Sequence, residues 1–406
     1  MHVLMFGWEF PPHNSGGLGV ACAGLARALV GKKIEIDFVL PREMALEMDS
    51  VHFRFIENIS GNIRLHKVKS ILHPYISSSQ YLSMLSTLAQ KHIYGKDLFE
   101  EVDRYAAQGG RIAKEVEDVQ IIHSHDWLTF GAGMSAREQI DKPLVVHVHA
   151  TEYDRTGGKI GDERVHTMEQ AGMMRADRVI TVSHLTKNIV TDKYGIPSSK
   201  VSVIHNGLDS SAYSLNAAKI AGLEQLKQLG YKVVLFVGRI TLSKGVDHLL
   251  YALKQALVVD PKIILVIAGS GEMERQIISL SANLGISSNV FFAGWARGAE
   301  LSGLYKTADL FVMPSVSEPF GLTAIEALIH NTPVLISKQS GVSEVLSHAL
   351  KVDFWDTQEM ANKIVSALAY PSVLQTLKIN GGKQAHNCSW DKAADKCLAI
   401  YNELSK

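Results

Sequence analysis

Two rhythms of apolar residues alternate along most of this chain. Short unbroken apolar runs, beginning with Val3–Gly7, read as strands buried on both faces. Between them apolar positions recur every three or four residues, as at Ala21, Leu25, Ala28 and Leu29, which is the spacing of a helix with one buried side. Further strands are expected at Glu35–Leu40, Val51–Ile56, Ile63–Val68, Gln120–His123, Pro143–His149, Arg178–Val182 and Val201–His205, then at Val233–Gly238, Ile263–Ala268, Val290–Gly294 and Asp309–Pro314. Val334–Ser337 reads as the last strand, Gly341 as the start of a short helix, and the remainder as helical, ending in the amphipathic stretch Trp390–Leu404. Residues 73–117 read as a polar-rich, mostly helical excursion. Alternating strand and helix imply an α/β fold with parallel, doubly wound sheets, whose ligands bind beyond the carboxyl ends of the strands. The irregular, polar stretch from Ala212 to Tyr231 breaks the alternation, and 406 residues exceed one ordinary core, so two domains are expected, 1–212 and 213–387.

Chemistry is therefore sought just after strands. After the run Leu310–Pro314 comes Ser317-Glu318-Pro319-Phe320-Gly321-Leu322-Thr323-Ala324-Ile325-Glu326. Pro319 cannot sit inside a helix, so the helix is expected to start near Gly321, with Glu318 in the loop and Glu326 in the early helix. A helix start offers free N–H groups and a partial positive charge, which suits phosphate. Two carboxylates beside such a site suit hydroxyl donors, such as those of a sugar. The same two residues are also explained as solvated helix-end acids, favoured by ~0.3–1 kcal/mol without any function.

Arg239 closes the strand that ends at Gly238, and Lys244 is expected to open the next helix, where a cation opposes the macrodipole unless an anion sits there too. A phosphate gripped by the Arg239 fork, with Lys244 as a point charge, resolves that conflict; two plain surface cations are the alternative. Gly16, Gly17 and Gly19 turn the first strand into the first helix, the layout in which backbone amides meet an anion. Neither Gly-x-Gly-x-x-Gly nor Gly-Lys-Ser follows, so no dinucleotide or Walker fingerprint is present. His123, His125, His147 and His149 share strand faces and can gather toward one sheet edge. A zinc site is the weaker reading of them, because half-buried strands commonly carry a histidine bonded to backbone; Asp126 and His149 read as ligand-facing.

Charge narrows the partners. With 41 basic and 41 acidic residues, no net charge draws the chain to nucleic acid or an anionic membrane. Cys22, Cys388 and Cys397 are an odd set without Cys-x-x-Cys spacing, which suits a reducing, cytoplasmic setting. Met1–Gly7 lacks the basic lead of a signal peptide, and no apolar stretch approaches the ~20 residues of a membrane span.

Read together and in order, several motifs resemble glycosyltransferase family 4, the retaining GT-B transferases that include bacterial glycogen and plant starch synthases. They are Ser15-Gly16-Gly17-Leu18, His125-Asp126-Trp127-Leu128-Thr129, His147-Val148-His149 with Ala150-Thr151-Glu152-Tyr153, His205-Asn206-Gly207-Leu208-Asp209, Gly238-Arg239 with Ser243-Lys244-Gly245, and Glu318 through Glu326. The resemblance implies two Rossmann-like domains facing a central cleft, with a C-terminal helix, 388–406, packed back on the first. It implies a nucleotide sugar held mainly by the second domain and an acceptor held by the first. By matching position, Arg239 and Lys244 hold the diphosphate, Glu318 the donor sugar and Glu326 the ribose. Gly321 and Leu322 contribute amides, and Gly238 and Thr323 belong to the same donor-binding set. Gly16 and Gly17 lie against the diphosphate, while Asp126, His149 and Asn206 approach the transferred sugar. Asn14 stands where glycogen and starch synthases carry Lys, which sets the chain apart from those enzymes.

The resemblance implies a retaining hexosyltransferase, glucosyl first, using UDP- or ADP-glucose and a sugar or glycan acceptor, an α-glucan among the candidates. No cofactor is expected beyond the donor substrate. No metal is expected either, since Arg239 and Lys244 supply the positive charge and no Asp-x-Asp motif occurs. Two rival readings are a transferase that docks on a membrane through the 73–117 excursion to build a lipid-linked or cell-surface glycan, and a non-catalytic sugar-nucleotide sensor or scaffold.

Overall fold

The computed structural model describes residues 1–11, 16–40, 97–209 and 213–406, and the backbone alone of 63–67. The strand expected at Val51–Ile56, the position of Asn14 and residues 73–96 of the excursion lie outside the described residues. Two compact units emerge. The first comprises Met1–Glu152, Ile160–Gly207 and Trp390–Lys406; the second comprises Tyr153–Lys159 and Leu208–Ser389.

In the first unit the strands are β1 (His2–Phe6), β2 (Glu35–Leu40), β3 (Ile63–Lys67), β4 (Ile121–His125), β5 (Leu144–Val148), β6 (Arg178–Thr181) and β7 (Val201–Val203). They form one parallel sheet in the order β3-β2-β1-β4-β5-β6-β7. The order reverses between β1 and β4, so the crevice at their carboxyl ends is where such a sheet takes ligands. The helices are α1 (Gly17–Gly31), α2 (Leu98–Glu115), α3 (Trp127–Ile140), α4 (Glu163–Arg175) and α5 (His184–Asp192). Side chains close several helix starts as their sequence suggests: Asp97 accepts from the amides of Phe99 and Glu100, Asp162 from Arg164, and Ser183 from Thr186. The 73–117 reading holds for α2, the part that is described.

The second unit contains α6 (Ala221–Gln228), β8 (Lys232–Val237), α7 (Val246–Val259), β9 (Ile263–Ala268), α8 (Glu274–Asn283), β10 (Val290–Gly294), α9 (Gly298–Thr307), β11 (Leu310–Met313), α10 (Leu322–Ile329), β12 (Val334–Ser337), β13 (Leu350–Val352), α11 (Thr357–Ala369) and α12 (Pro371–Asn387). Its parallel sheet runs β10-β9-β8-β11-β12-β13, with the reversal between β8 and β11. Val234, Phe236, Leu265, Ile267, Leu310, Val312 and Leu335 fill its core together with Leu249, Leu250 and Leu253 of α7. Val334–Ser337 is therefore not the last strand. β13 pairs with β12, Leu350 opposite Leu335, but it has three residues with Lys351 at the centre, too short and too polar for an apolar run to mark it.

The last helix, α13 (Trp390–Leu404), belongs to the first unit. Gly24 of α1 makes room for it, since a Cβ there would lie 2.2 Å from the Trp390 indole.

Candidate functional site

In the second unit the predicted residues gather at the crevice between β8 and β11. Gly238 and Arg239 follow β8, and Ser315 to Gly321 follow β11. The two loops are joined by backbone, the amide of Val316 donating to the carbonyl of Ser243 at 2.9 Å. Lys244 does not open α7. It closes a 3-10 turn, Leu242–Lys244, and Gly245 intervenes at φ 62° before α7 starts at Val246. A left-handed backbone favours glycine there, and a Cβ would sit 2.3 Å from the Pro314 carbonyl oxygen, so no side chain fits. The anion that answers Lys244 is internal: its Nζ lies 2.6 Å from Glu318 Oε2. Ser315 Oγ donates to the same oxygen at 3.2 Å. Arg239, which follows β8, is half-buried.

Gly321 caps α10 at φ 109°, with Leu322 and Thr323 in the first turn, where amides are free of intrahelical acceptors. Glu326 is not an early-helix acid at a solvated end. It lies fifth of eight residues in α10, buried, with Oε1 accepting from Tyr213 at 2.8 Å and Oε2 from Tyr305 at 2.9 Å. Burial pushes its carboxyl above the usual range, and the two hydroxyls pull it back. The hydroxyl donors that two carboxylates require are thus, in part, the protein's own.

In the first unit Gly16 precedes α1 in extended backbone and Gly17 is its first residue. An anion meets that helix start, and it is Glu9, whose buried Oε1 accepts from the Gly19 amide at 2.7 Å. Asp126 follows β4 at φ 60°, ψ 168°, a region L residues rarely adopt, and such strain gathers at working sites. Its Oδ1 accepts from the amides of His149 at 2.7 Å and Ala150 at 3.3 Å, which ties the ends of β4 and β5 together. Asn206 is buried beyond β7.

The four histidines do assemble, on the central strands of the sheet and not at a lateral edge. Their rings stack at 4.3–5.5 Å: His123 on His125 and His147, and His147 on His149. Nδ1 of His125 meets Nε2 of His149 at 3.0 Å, and Nδ1 of His123 meets the Tyr401 hydroxyl. Burial lowers all four below the ordinary histidine value, His123 and His149 to about 3, so they are neutral. One ligand atom each from His123, His125 and His147 lies within 4.8 Å of the others, as do those of Cys22, His125 and His149. Tetrahedral zinc bonds of about 2.0–2.1 Å need convergent lone pairs. The His123 and His147 rings, 4° from parallel, hold theirs in parallel planes, which disfavours zinc shared by that pair.

Tyr213, Tyr305 and Glu9 were not anticipated. Tyr305 lies 21 residues before Glu326, and nothing in the pattern of apolar positions joins the two. Nor did the pattern link Ser317 Oγ to Asp154 Oδ1, a contact of 2.6 Å inside the second unit. No described helix is long and apolar enough to cross a membrane.

Comparison with known proteins is consistent across the chain. Residues 15–212 match the family described as Glycosyltransferase Family 4, and residues 223–384 match Glycosyl transferases group 1. An uncharacterised glycosyltransferase of Methanocaldococcus jannaschii is 31% identical, covering 99% of this chain and 98% of that protein. A glycogen synthase of Mycobacterium tuberculosis is 28% identical over 85% of this chain and 80% of its own length. Among solved structures, a sucrose-phosphate synthase of Thermosynechococcus elongatus superposes with a TM-score of 0.74 at 21% identity, covering 99% and 98% of the two chains. HepE of Anabaena in complex with UDP-glucose gives 0.72 at 17%, covering both chains fully.

Proposed function

From the premise that this chain belongs to glycosyltransferase family 4 and has the two Rossmann-like units of the GT-B fold, we propose that it is a retaining hexosyltransferase, moving glucose from UDP- or ADP-glucose to a sugar or glycan acceptor. The observation that carries the reading is the ion pair of Lys244 with Glu318, in the loops that follow β8 and β11 at the strand-order reversal of the second sheet. A cation and a carboxylate side by side suit a ligand that carries a diphosphate next to sugar hydroxyls. Lys244 and Arg239 take the diphosphate, the amides of Gly321 and Leu322 add donors, Glu318 takes the sugar and Glu326 the ribose. The UDP-glucose held by HepE supports a UDP donor.

In the reaction the bond from the anomeric carbon to the diphosphate oxygen breaks as the acceptor oxygen bonds on the same face, and the departing phosphate takes the acceptor's proton. Charge grows on the diphosphate, and cations already in place there supply most of the acceleration. His149, kept neutral by burial, donates or accepts a hydrogen bond at the sugar's oxygens and carries no covalent intermediate. Asp126 holds the His149 amide, and Asn206, Gly16 and Gly17 belong to the first unit's share of the binding residues.

A thermal-shift panel of nucleotide sugars tests the donor. A ligand at 100 times its dissociation constant adds ~2.7 kcal/mol of stability. Stabilisation by UDP- or ADP-glucose with release of the nucleoside diphosphate in the presence of glycans is expected. Binding with neither hydrolysis nor transfer overturns the enzyme reading in favour of a sensor.

A further inference from the structure

Glu326 is held from both sides. Tyr305, fully buried on α9, donates to Oε2, and Tyr213, which precedes α6, donates to Oε1. His330 supports both tyrosines: its ring stacks on Tyr305 at 5.2 Å and meets Tyr213 edge-on at 5.8 Å. Its Nδ1 is 2.7 Å from the Glu326 carbonyl oxygen, and the Thr332 hydroxyl donates to the Tyr305 carbonyl. The carboxylate therefore has little freedom to rotate. Each carboxylate oxygen has about two acceptor directions. Among the described residues one direction on each is taken by a tyrosine, which leaves one on each of these two neighbouring oxygens. Two adjacent acceptors match two adjacent hydroxyls.

We propose that Tyr213 and Tyr305 are positioning residues that present both oxygens of Glu326 in register to a vicinal diol, and so set a preference for ribonucleotide over 2′-deoxyribonucleotide donors. This rests on the reading of Glu326 as the ribose contact. A lone carboxylate on a mobile side chain can accept either hydroxyl separately and discriminates weakly. One clamped by two donors loses a whole hydrogen bond when the 2′-hydroxyl is missing, and leaves a buried acceptor unmet. The other titratable neighbours do not compete. Burial and the Glu326 charge raise both tyrosines, so they stay protonated, and burial lowers His330, so it stays neutral. Asp209 acts on Tyr213 and Lys306 on His330 through space.

The test is calorimetry on the full chain with UDP, 2′-deoxy-UDP, ADP and 2′-deoxy-ADP, for the parent, Glu326→Gln, Tyr305→Phe and Tyr213→Phe. The parent should favour the ribonucleotide of whichever base it binds, and Glu326→Gln should abolish the preference. Each Tyr→Phe change should cut it by about 2- to 13-fold, one hydrogen bond's worth. Removing a donor also leaves the carboxyl harder to ionise, so the rise of ribonucleotide affinity with pH should move to higher pH in both tyrosine variants. Tyr213 is partly exposed, so Tyr213→Phe carries the test should Tyr305→Phe fold poorly. A preference that survives Glu326→Gln, or no binding of either ribonucleotide, overturns the ribose reading itself. A preference lost in Glu326→Gln but unchanged in the tyrosine variants, with an unmoved pH profile, overturns the positioning role alone.

Discussion

At the carboxyl ends of β4 and β5, four imidazoles pack ring on ring, and five of their nitrogens have no hydrogen-bond partner among the described residues. At the carboxyl ends of β8 and β11, the charged Lys244, Glu318 and Glu326 are each met by an opposite charge or a hydroxyl at 2.6–2.9 Å. Both places bury polar groups where a parallel sheet takes ligands, yet one does so with neutral groups and the other with paired charges. An unmet neutral donor or acceptor costs about 1–3 kcal/mol, which a fold can carry. An unmet buried charge costs several times more, so the carboxylates of the second site are matched by internal partners. A consequence is that the first site loses stability on being charged, and the second on losing a charge.

The largest test is acid. All four histidines are held below their ordinary value, so below about pH 6.5 the unfolded chain binds protons that the folded chain refuses, and stability is lost as pH falls. From about pH 7.5 to about pH 5.5 the loss is about 1.4 kcal/mol per histidine and about 5 kcal/mol for four. Melting temperature measured across that range should fall steeply for the parent and less steeply for His147→Leu. A flat profile would mean that the row is not neutral.

Lys244→Ala comes next, with an expected ~10²–10³-fold loss of turnover at saturating donor. The same change strands Glu318, so stability should also fall, by about 1–3 kcal/mol. Adding Glu318→Gln should restore the melting temperature without restoring turnover. Parent-like turnover of Lys244→Ala at saturating donor would remove Lys244 from the diphosphate and dissolve the contrast between the two sites.

A smaller effect is expected of His147→Leu at pH 7.5, where both ring nitrogens are unmet and an apolar replacement should be neutral or stabilising by up to about 1–3 kcal/mol. Clear destabilisation in a urea titration would reveal a partner for this ring. The smallest effect is that of a chelator. On the proposed reading, in which Arg239 and Lys244 supply the charge at the diphosphate, transfer activity in excess EDTA should match the untreated enzyme. Loss of activity, restored by Mg²⁺ or Zn²⁺, would make the histidine row a ligand set after all.

By itself the sequence determined the order of strands and helices, the doubly wound class and the places where chemistry belongs, because apolar periodicity and the Gly and Pro positions are local properties. It also singled out Arg239, Lys244, Glu318 and Glu326 as candidates, because they belong to the stretches that follow two apolar strand runs, where a parallel sheet exposes its ligand-binding end. It did not reveal β13, whose three residues carry no apolar run, or the 3-10 turn that sets Lys244 ahead of α7. Only the tertiary structure decided the partners. Lys244 and Glu318 are 74 residues apart, Tyr213 and Glu326 are 113 apart, and His123 and Tyr401 are 278 apart. No pattern of spacing encodes such pairs, because burial, which makes a partner compulsory for a charge and optional for an imidazole, is settled only when distant segments pack.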